Sequence, residues 1–278
     1  MRSFLKISFV FCCVIFSVQS YAWNAVGHML VAHIAYDKLK PNARAKVDKM
    51  TADLAKEYPE IRDFDHVAPW LDTLRGQKIE TFTRWHYIDM GFSDDGMPVK
   101  SLVNTDNAIW AMSKVMQVTK NDKANPYERA RFLAFLVHIT GDLHQPLHTV
   151  SRVSSLYPDG DQGGNLYTVR YQGKTVSLHK LWDEGAGAFA LDSTPENIRL
   201  LARTITNAYP ESSFGAQAKD LVPTNWVTEG MGLAKTSVYS APEGQIVPSS
   251  YLENGKQVSE QQIALAGYRL ANLLNMLL

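Results

Sequence analysis

Apolar residues recur at helical spacing along most of the chain. The first such segment carries Val26, Leu30 and Ile34, and Pro41 then opens a second helix, since proline suits a first helical turn. In the last segment apolar residues surround most of the helix, which indicates burial on all sides. The pattern predicts helices over residues 26–39, 41–56, 60–76, 102–119, 127–145, 182–190, 195–207, 212–220, 225–239 and 259–278.

The segment from Gly163 to His179 follows a different pattern. Two short β-prone runs flank Gln172-Gly173-Lys174, which predicts a β-hairpin inserted in a helical protein. No repeat or charge block marks a linker. We therefore expect a mainly α fold, a single compact multi-helix domain with a small inserted β-hairpin. Two small domains are the alternative for a chain of this length.

The first 22 residues have the pattern of a secretory signal: a basic start, an apolar run and the small-residue ending Ser20-Tyr21-Ala22. A membrane anchor is the alternative, but it needs about 20 apolar residues and the uninterrupted stretch here is shorter. The sequence predicts a signal peptide over 1–22 and a processed domain over 23–278. We expect export to a periplasm or to the extracellular medium, with no membrane anchor after processing.

Composition and charge narrow the chemistry of the processed chain. Both cysteines, Cys12 and Cys13, lie in the signal segment, so no thiol is left for a disulfide. Processing also removes Arg2 and Lys6, which changes 28 basic against 28 acidic residues to 26 against 28, a net charge of −2. The processed chain therefore has no overall basic charge to attract nucleic acid. The negative charge of a phosphodiester would have to be compensated locally, and bound metal ions are the obvious means.

The candidate chemistry is concentrated in the run from His138 to His148. Helical residues four apart lie on one face, so His138 and Asp142 can hold a single ion. Pro146 disfavours helical geometry at Gln145, so the helix should end there. We expect His148 to leave on a turn and to serve a different ion.

The pairing of histidine with aspartate recurs elsewhere in the chain. His179 and Asp183 repeat the four-residue spacing where the hairpin ends, and His86 precedes Asp89 by three residues. A lone histidine is more often a core or surface residue than a ligand, so the inference depends on the repetition. Nitrogen and oxygen donors in a cysteine-free exported chain suit zinc.

Six ordered motifs resemble those of the S1/P1 nuclease family, and the resemblance spans essentially all of 23–278. The processed chain would begin Trp23-Asn-Ala-Val-Gly-His28, similar to that family's start, with Asn24 in place of the usual glycine. The resemblance implies the helical fold shared by phospholipase C and P1 nuclease. The other motifs are Val67-Ala-Pro-Trp-Leu-Asp72, Trp85-His-Tyr-Ile-Asp89, the His138–His148 run, Gly163-Gly-Asn165 and His179–Asp183.

The resemblance also implies three zinc ions per chain. Each ion would have histidine and carboxylate ligands, and the second would also bind the amino-terminal residue of the processed chain. Asp142 would bridge the first two ions. Three carboxylates against three Zn²⁺ leave a local charge of about +3, which would attract phosphate. The implied ligands, ion by ion, are Asp72, His86, His138 and Asp142; His28 with the free amine and carbonyl oxygen of Trp23; and His148, His179 and Asp183.

The chemistry that the resemblance implies is attack by a hydroxide bridging two zinc ions, since zinc lowers the pKa of bound water to about 7. The third ion would stabilise the departing 3′-oxygen. Asp89 would orient the attacking water or simply fix a ligand histidine, and Arg75 would contact phosphate or form a surface salt bridge. Tyr87 and Asn165 are the candidates for base recognition, although Tyr87 is equally suited to the core.

Taken together, the sequence predicts an exported, monomeric zinc endonuclease and 3′-nucleotidase that cleaves single-stranded RNA and DNA to 5′-phosphorylated products. A zinc-dependent phospholipase C is the nearest alternative, because the same ligands would serve it. A non-catalytic exported zinc-binding protein is a further alternative, although such proteins usually carry histidine-rich tracts. His33, His66 and His144 are expected to be structural, with His144 supporting the cluster by hydrogen bonding.

Overall fold

A computed structural model describes residues 23–278, so the predicted signal peptide lies outside the described residues. The described chain is mainly helical with two small pairs of strands, which confirms the predicted fold class. Its helices are α1 Ala25–Asp37, α2 Pro41–Ala55, α3 Phe64–Val67, α4 Trp70–Gly76, α5 Ala108–Thr119, α6 Pro126–Asp142, α7 Leu178–Asp183, α8 Pro195–Ala208, α9 Pro223–Thr236 and α10 Ser249–Leu277. Its strands are β1 Met90–Ser93, β2 Val150–Val153, β3 Thr168–Tyr171 and β4 Lys174–Ser177.

Helix α10 runs through the middle of the main hydrophobic core. Every residue from Ile263 to Ala271 is buried, so the helix has no solvent-facing stripe there, as its apolar pattern predicts. It begins at Ser249, ahead of the predicted start at residue 259. A Cβ at Gly267 would lie 2.5 Å from Cγ2 of Ile34, so glycine lets α10 and α1 approach closely.

The predicted hairpin is present as the antiparallel pair of β3 and β4, in which Tyr171 pairs with Lys174. Gln172 and Gly173 form its two-residue turn with φ of 48° and 76°, the positive values that such turns require. A second, smaller core lies beside the hairpin and includes Trp182, whose indole Nε1–H donates to the Tyr251 hydroxyl at 2.7 Å. The hairpin is therefore anchored to the end of the molecule that carries α7.

The parallel pair of β1 and β2 was absent from the sequence prediction. Met90 pairs with Val150 and Ser93 with Val153, so two four-residue segments far apart in the chain lie side by side. Runs this short have no periodicity that marks them as strands. The pairing matters for the site because it sets the segment after His86 beside the segment after His148.

Several predicted helix bounds were wrong for local reasons. The predicted helix 60–76 is broken into α3 and α4, because Pro69 has no N–H to donate and its ring clashes with the preceding turn. Helix α5 starts only at Ala108, where the Asn107 side chain accepts from the backbone N–H of Ile109 and Trp110. Helix α6 ends at Asp142, three residues before the predicted end at Gln145.

Two further predicted helices do not form. In place of a helix over 182–190, α7 ends at Asp183, and the next turn contains Ala186 at a φ of 51° between two glycines that also have positive φ. The predicted helix 212–220 is replaced by two short 3-10 turns, Glu211–Phe214 and Gln217–Lys219. Within 23–278, no helix is both long and apolar enough to cross a membrane.

Candidate metal centre

Helix α6 and the turn that follows it carry three of the candidate ligands. His138 and Asp142 lie one turn apart, with Nε2 of the histidine 3.3 Å from Oδ2 of the aspartate. The helix then ends, and His148 lies on a 3-10 turn, Pro146–His148, as the position of Pro146 predicts. The break lets His148 point away from the face that His138 and Asp142 share.

The first group of donor atoms joins α6 to α4 and to the 3-10 turn Thr83–His86. Nδ1 of His86 lies 3.1 Å from Oδ2 of Asp142, 3.0 Å from Nε2 of His138 and 3.7 Å from Oδ1 of Asp72. Zinc bonds of about 2.0–2.1 Å in a tetrahedron separate neighbouring ligand atoms by about 3.3 Å. The spacing of these donors therefore suits a tetrahedral zinc ion.

A second group lies on the other side of Asp142. Nε2 of His28, on α1, is 3.4 Å from Oδ1 of Asp142, whereas Oδ2 faces His86 and His138. The rings of His28 and His138 are stacked, with centroids 3.9 Å apart. A Cβ at position 141 would lie 2.9 Å from Nδ1 of His28, so only glycine fits there. The two oxygens of Asp142 are thus arranged as a bridge between two sites.

Trp23 is fully buried beside this second group. Its indole Nε1–H donates to the Gly141 carbonyl at 3.0 Å, and its ring packs edge-on against Phe189 with centroids 5.5 Å apart. The next backbone N–H, that of Asn24, donates to the Asp183 carbonyl at 2.9 Å. These contacts hold the backbone of residues 23 and 24 between α6 and α7, next to the candidate ligands.

The third group of donors consists of His148, His179 and Asp183. The Nε2 atoms of the two histidines are 3.0 Å apart, and Nε2 of His179 is 3.5 Å from Oδ1 of Asp183. Helix α7 supplies both His179 and Asp183, one turn apart, as their spacing predicts. The Gln145 side chain, fully buried, donates from Nε2 to that same Oδ1 at 2.7 Å and so orients the carboxylate.

Backbone carbonyls fix which ring nitrogen is protonated in three of the candidate ligands, His138, His148 and His179. Nδ1–H of His138 donates to the Ala68 carbonyl at 2.7 Å, and Nδ1–H of His148 donates to the His86 carbonyl at 2.8 Å. Nδ1–H of His179 donates to the Gly163 carbonyl at 2.6 Å. Because a carbonyl only accepts, Nδ1 carries the proton in each case, and the Nε2 lone pair faces the cluster as a metal ligand requires.

The electrostatics of the centre favour a cation. Burial lowers the pKa of His179 to about 4 and that of His148 well below its usual range, so two neutral Nε2 lone pairs face each other. Burial raises the pKa of Asp72 to about 7 and those of Asp142 and Asp183 well above their usual range. A bound cation would attract both the lone pairs and the carboxylates.

Buried polar atoms without hydrogen-bond partners also indicate that the centre binds a cation. Among the residues that the structure describes, both ring nitrogens of His28, both carboxylate oxygens of Asp142 and Oδ1 of Asp72 are buried and make no hydrogen bond. A buried polar group without a partner is costly, and such groups are rare in folded proteins. Their concentration at one point, with nitrogen and oxygen donors, fits a zinc-binding site.

The candidate catalytic and substrate residues lie around this centre. Arg75 follows Asp72 on α4, and its positive charge acts to lower the pKa of both Asp72 and Asp142. Burial, reinforced by Asp161, raises the pKa of Asp89 to about 6. Burial and the neighbouring Asp89 carboxylate raise the pKa of Tyr87. Asp89 is not part of the three donor groups found within 23–278.

Asn165 lies against the third donor group, on a turn that sequence reasoning explained only in part. Its Nδ2 is 3.3 Å from Nδ1 of His179. Gly163 and Gly164 have φ of 61° and 77°, and a Cβ at Gly163 would lie 2.4 Å from the Leu147 carbonyl oxygen. Glycine is therefore required where the chain presents its carbonyl to His179.

Asp161 and Gln145 are the supporting residues that the sequence did not reveal. Asp161 is fully buried; its Oδ2 accepts from the Tyr239 hydroxyl at 2.7 Å and its Oδ1 from the Arg152 backbone N–H at 2.9 Å. It thereby holds the base of the Gly163–Asn165 turn. Asp161 stands two residues before the Gly-Gly pair and Gln145 directly before Pro146, but only the folded contacts distinguish these side chains from ordinary loop residues.

His144 has a structural role, as expected, but its hydrogen bonds go to Thr140 and Arg269 rather than to the candidate ligands. Its Nδ1–H donates to the Thr140 carbonyl at 2.7 Å, and its Nε2 accepts from Nη1 of Arg269 at 2.9 Å. Arg269 is itself buried and is paired with Glu229, with both N···O distances at 2.8 Å. His144 therefore ties the end of α6 to α10 and α9.

Comparison with known proteins identifies the class that this fold and site define. A family model described as S1/P1 Nuclease matches residues 23–278. The chain belongs to the S1/P1 nuclease family, as its motifs predict, and is an enzyme of the nuclease class.

Individual relatives in that family are distant but extend over nearly the whole chain. Nuclease S1 of Aspergillus oryzae is 28% identical, with 93% of this chain and 92% of that protein covered. Endonuclease 1 of Arabidopsis thaliana is 27% identical over 99% of this chain and 92% of its own. Nuclease P1 of Penicillium citrinum is 26% identical over 91% of this chain and 97% of its own.

Proposed function

We propose that the processed protein is an exported, monomeric zinc endonuclease and 3′-nucleotidase that hydrolyses single-stranded RNA and DNA to 5′-phosphorylated products. The observation that supports it is the set of three adjacent donor groups, each with its donor atoms within 4.8 Å of one another, in a member of the S1/P1 nuclease family. These donors would hold three zinc ions, the second completed by the amine and carbonyl of Trp23.

Zinc bound at this centre would supply a hydroxide at neutral pH and polarise the phosphate oxygens. The chain's own residues would make that chemistry possible by position. Asp142 would bridge two of the sites through its opposed oxygens, and Gln145 would keep Asp183 turned toward His179. The backbone carbonyls on His138, His148 and His179 would keep the Nε2 atoms deprotonated while substrate binds.

Asp89 and Arg75 would act on the reacting phosphate. A carboxyl group with its pKa raised to about 6 can accept a proton from an attacking water or return one near neutral pH, which suits Asp89 for water orientation. Arg75 stands one turn after Asp72, and its guanidinium would pair with phosphate oxygens as charge builds on them. Tyr87, which follows His86, and Asn165, which lies against His179, would hold the base by stacking and by hydrogen bonding.

A direct experiment separates this proposal from its two alternatives. We expect the purified, processed protein to contain about three zinc ions and to cleave single-stranded DNA, RNA and a 3′-mononucleotide. Phosphatidylcholine offered beside them is expected to remain intact. Lipid cleavage without nucleotide release would replace the nuclease by a phospholipase C. A fully zinc-loaded protein with no activity on either substrate class would support a metal-binding role alone.

The proposed role of Trp23 can be tested through the chain start. In the precursor the Trp23 nitrogen is an amide and has no lone pair to give, whereas a free amine with a pKa of about 8 can bind metal. A processed variant with one extra residue before Trp23 is therefore expected to lose the second zinc and most of its activity. Metal analysis and single-strand cleavage would measure both. Full activity with three zinc ions would refute the role of the amine, and a Lys40→Ala variant with a native start serves as a control for handling.

A further inference from the structure

A pocket of about 420 Å³ lies behind the segment that carries Tyr87 and Asp89. Alternate side chains of an extended segment point to opposite sides. Ile88 and Met90 line this pocket, whereas Asp89 is close enough to Asp161 for its pKa to rise. The remaining walls come from the start of α5 and from α9, where apolar Ile109, Trp110 and Val227 stand beside polar Asn107, Thr224 and Thr228. The pocket therefore lies on the opposite side of this segment from Asp89.

Trp110 forms the exposed wall of this pocket, with 41% of its surface accessible. Its position is fixed by Trp85, since the two rings pack at an interplanar angle of 63° with centroids 5.8 Å apart. The helix that carries it is tied to the candidate site, since the Ala108 backbone N–H donates to the Tyr87 carbonyl at 3.0 Å. A rigid, half-exposed indole beside an apolar pocket is typical of a ligand-binding surface.

The charge next to Trp110 identifies the kind of ligand. Nζ of Lys114, one turn along α5, lies 5.7 Å from the Trp110 ring centroid. Within the part of the chain that the structure describes, Lys114 has no salt bridge, whereas Arg84 is paired with Asp106. An aromatic face beside an available cation matches a nucleotide, which offers a flat base and an anionic phosphate. A lipid chain would gain nothing from the cation.

We propose that this pocket is an additional nucleobase subsite, which binds a base of a single strand one or more nucleotides away from the bond that is cleaved. This inference rests on the proposed function, and it adds a preference for longer strands. The base would stack on Trp110, and a neighbouring phosphate would contact Lys114. A 3′-mononucleotide at the metal centre is too short to reach the pocket, so the subsite would affect only longer substrates.

The test compares the two substrate lengths in one set of variants. For Trp110→Ala we expect KM for a single-stranded oligonucleotide of about ten nucleotides to rise roughly tenfold, as the loss of one stacked base predicts. The kinetics on a 3′-mononucleotide are expected to stay unchanged. Trp110→Phe should retain most of the oligonucleotide affinity, because it keeps an aromatic face. Lys114→Gln should weaken oligonucleotide binding and reduce its dependence on salt.

Leu200→Ala is the matched control, since Leu200 is an exposed apolar side chain on α8, with 63% of its surface accessible. An unchanged length preference in Trp110→Ala would overturn the subsite, and so would an equal loss on both substrates. Loss of phosphatidylcholine vesicle binding with normal oligonucleotide kinetics would indicate a lipid surface instead. If the wild type cleaves neither substrate, the proposed function has failed. Quenching of intrinsic fluorescence by a phosphorothioate oligonucleotide, present in the wild type and lost in Trp110→Phe, then still tests the subsite alone.

Discussion

Asp142→Asn is expected to lower phosphodiester hydrolysis by at least about 100-fold and to leave about one zinc ion per chain. The opposed oxygens of Asp142 lie 3.4 Å from His28 and 3.1 Å from His86, so one side chain serves two of the three proposed sites. Loss of even a supporting residue at a metal site typically costs 10–100-fold in affinity or activity, and a shared ligand should cost more. Metal analysis and initial rates on single-stranded DNA would measure both effects.

The third donor group provides an internal control for the Asp142→Asn experiment. His148, His179 and Asp183 have no contact with Asp142 among the ion pairs that the described residues form, so their zinc ion should be retained. Asp122→Asn makes the same chemical change at a side chain that is 71% exposed, and it should behave as the wild type. If Asp142→Asn kept three zinc ions and activity within about tenfold of the wild type, the bridging arrangement would be wrong.

Local rules predicted the parts of the site that depend on short stretches of chain. Helical spacing placed His138 with Asp142 and His179 with Asp183, and Pro146 separated His148 from both. Each of these inferences needs only the geometry of one turn and the missing N–H of proline. The same kind of rule predicted the Gln172-Gly173 turn, because only a few residue types accept positive φ at both turn positions.

The contacts that orient these histidines as candidate metal ligands could not be predicted in this way. The carbonyls of Ala68, His86 and Gly163 are backbone groups, which have no sequence signature. The Ala68 carbonyl accepts from His138 at the point where Pro69 interrupts the predicted helix 60–76. The interruption that made the helix prediction wrong therefore also supplies a contact that the site needs.

Most of the other contacts that the sequence did not predict join segments that are far apart in the chain. The strands β1 and β2 join segments about sixty residues apart, and the Ile88 backbone N–H donates to the His148 carbonyl at 2.9 Å beside them. His86 consequently serves two donor groups, with its ring in the first and its carbonyl on His148 of the third. The buried bonds of Asp161 to Tyr239 and Arg152 are of the same kind, because their partners come from distant parts of the chain.

Removal of zinc with a chelator is expected to lower the melting temperature by about 10 °C or more. A ligand present at about 1,000 times its Kd stabilises the native state by about 4.1 kcal/mol. In a domain of about 250 residues, each kcal/mol shifts the melting temperature by about 2–4 °C. The change would be followed by circular dichroism, and zinc should restore the stability where Mg²⁺ does not, since Mg²⁺ prefers oxygen ligands. A melting temperature that is the same with and without zinc would contradict the proposed centre.

The difference in the free energy of unfolding between the zinc-loaded and metal-free forms is expected to increase from pH 6.5 to pH 7.5. Burial raises the pKa of Asp72 from 3.8 to about 7 in the metal-free protein, so its contribution favours folding at low pH and is lost as pH rises through 7. His138 has the opposite shift, from 6.5 to about 4, and destabilises the metal-free form only as pH falls below 6.5.

Of these two residues, Asp72 is therefore the one whose ionisation still changes above pH 6.5, whereas His138 is neutral. Zinc offsets the cost of that buried charge, because it binds the ionised carboxylate and the neutral imidazole. Asp72→Asn removes the ionisable group, so its metal-free form should lose less stability over the same pH interval. Melting curves of both proteins, with and without zinc, would measure the trend. A difference that stays constant or narrows from pH 6.5 to pH 7.5 would mean that ionisation of Asp72 does not control zinc binding in this range.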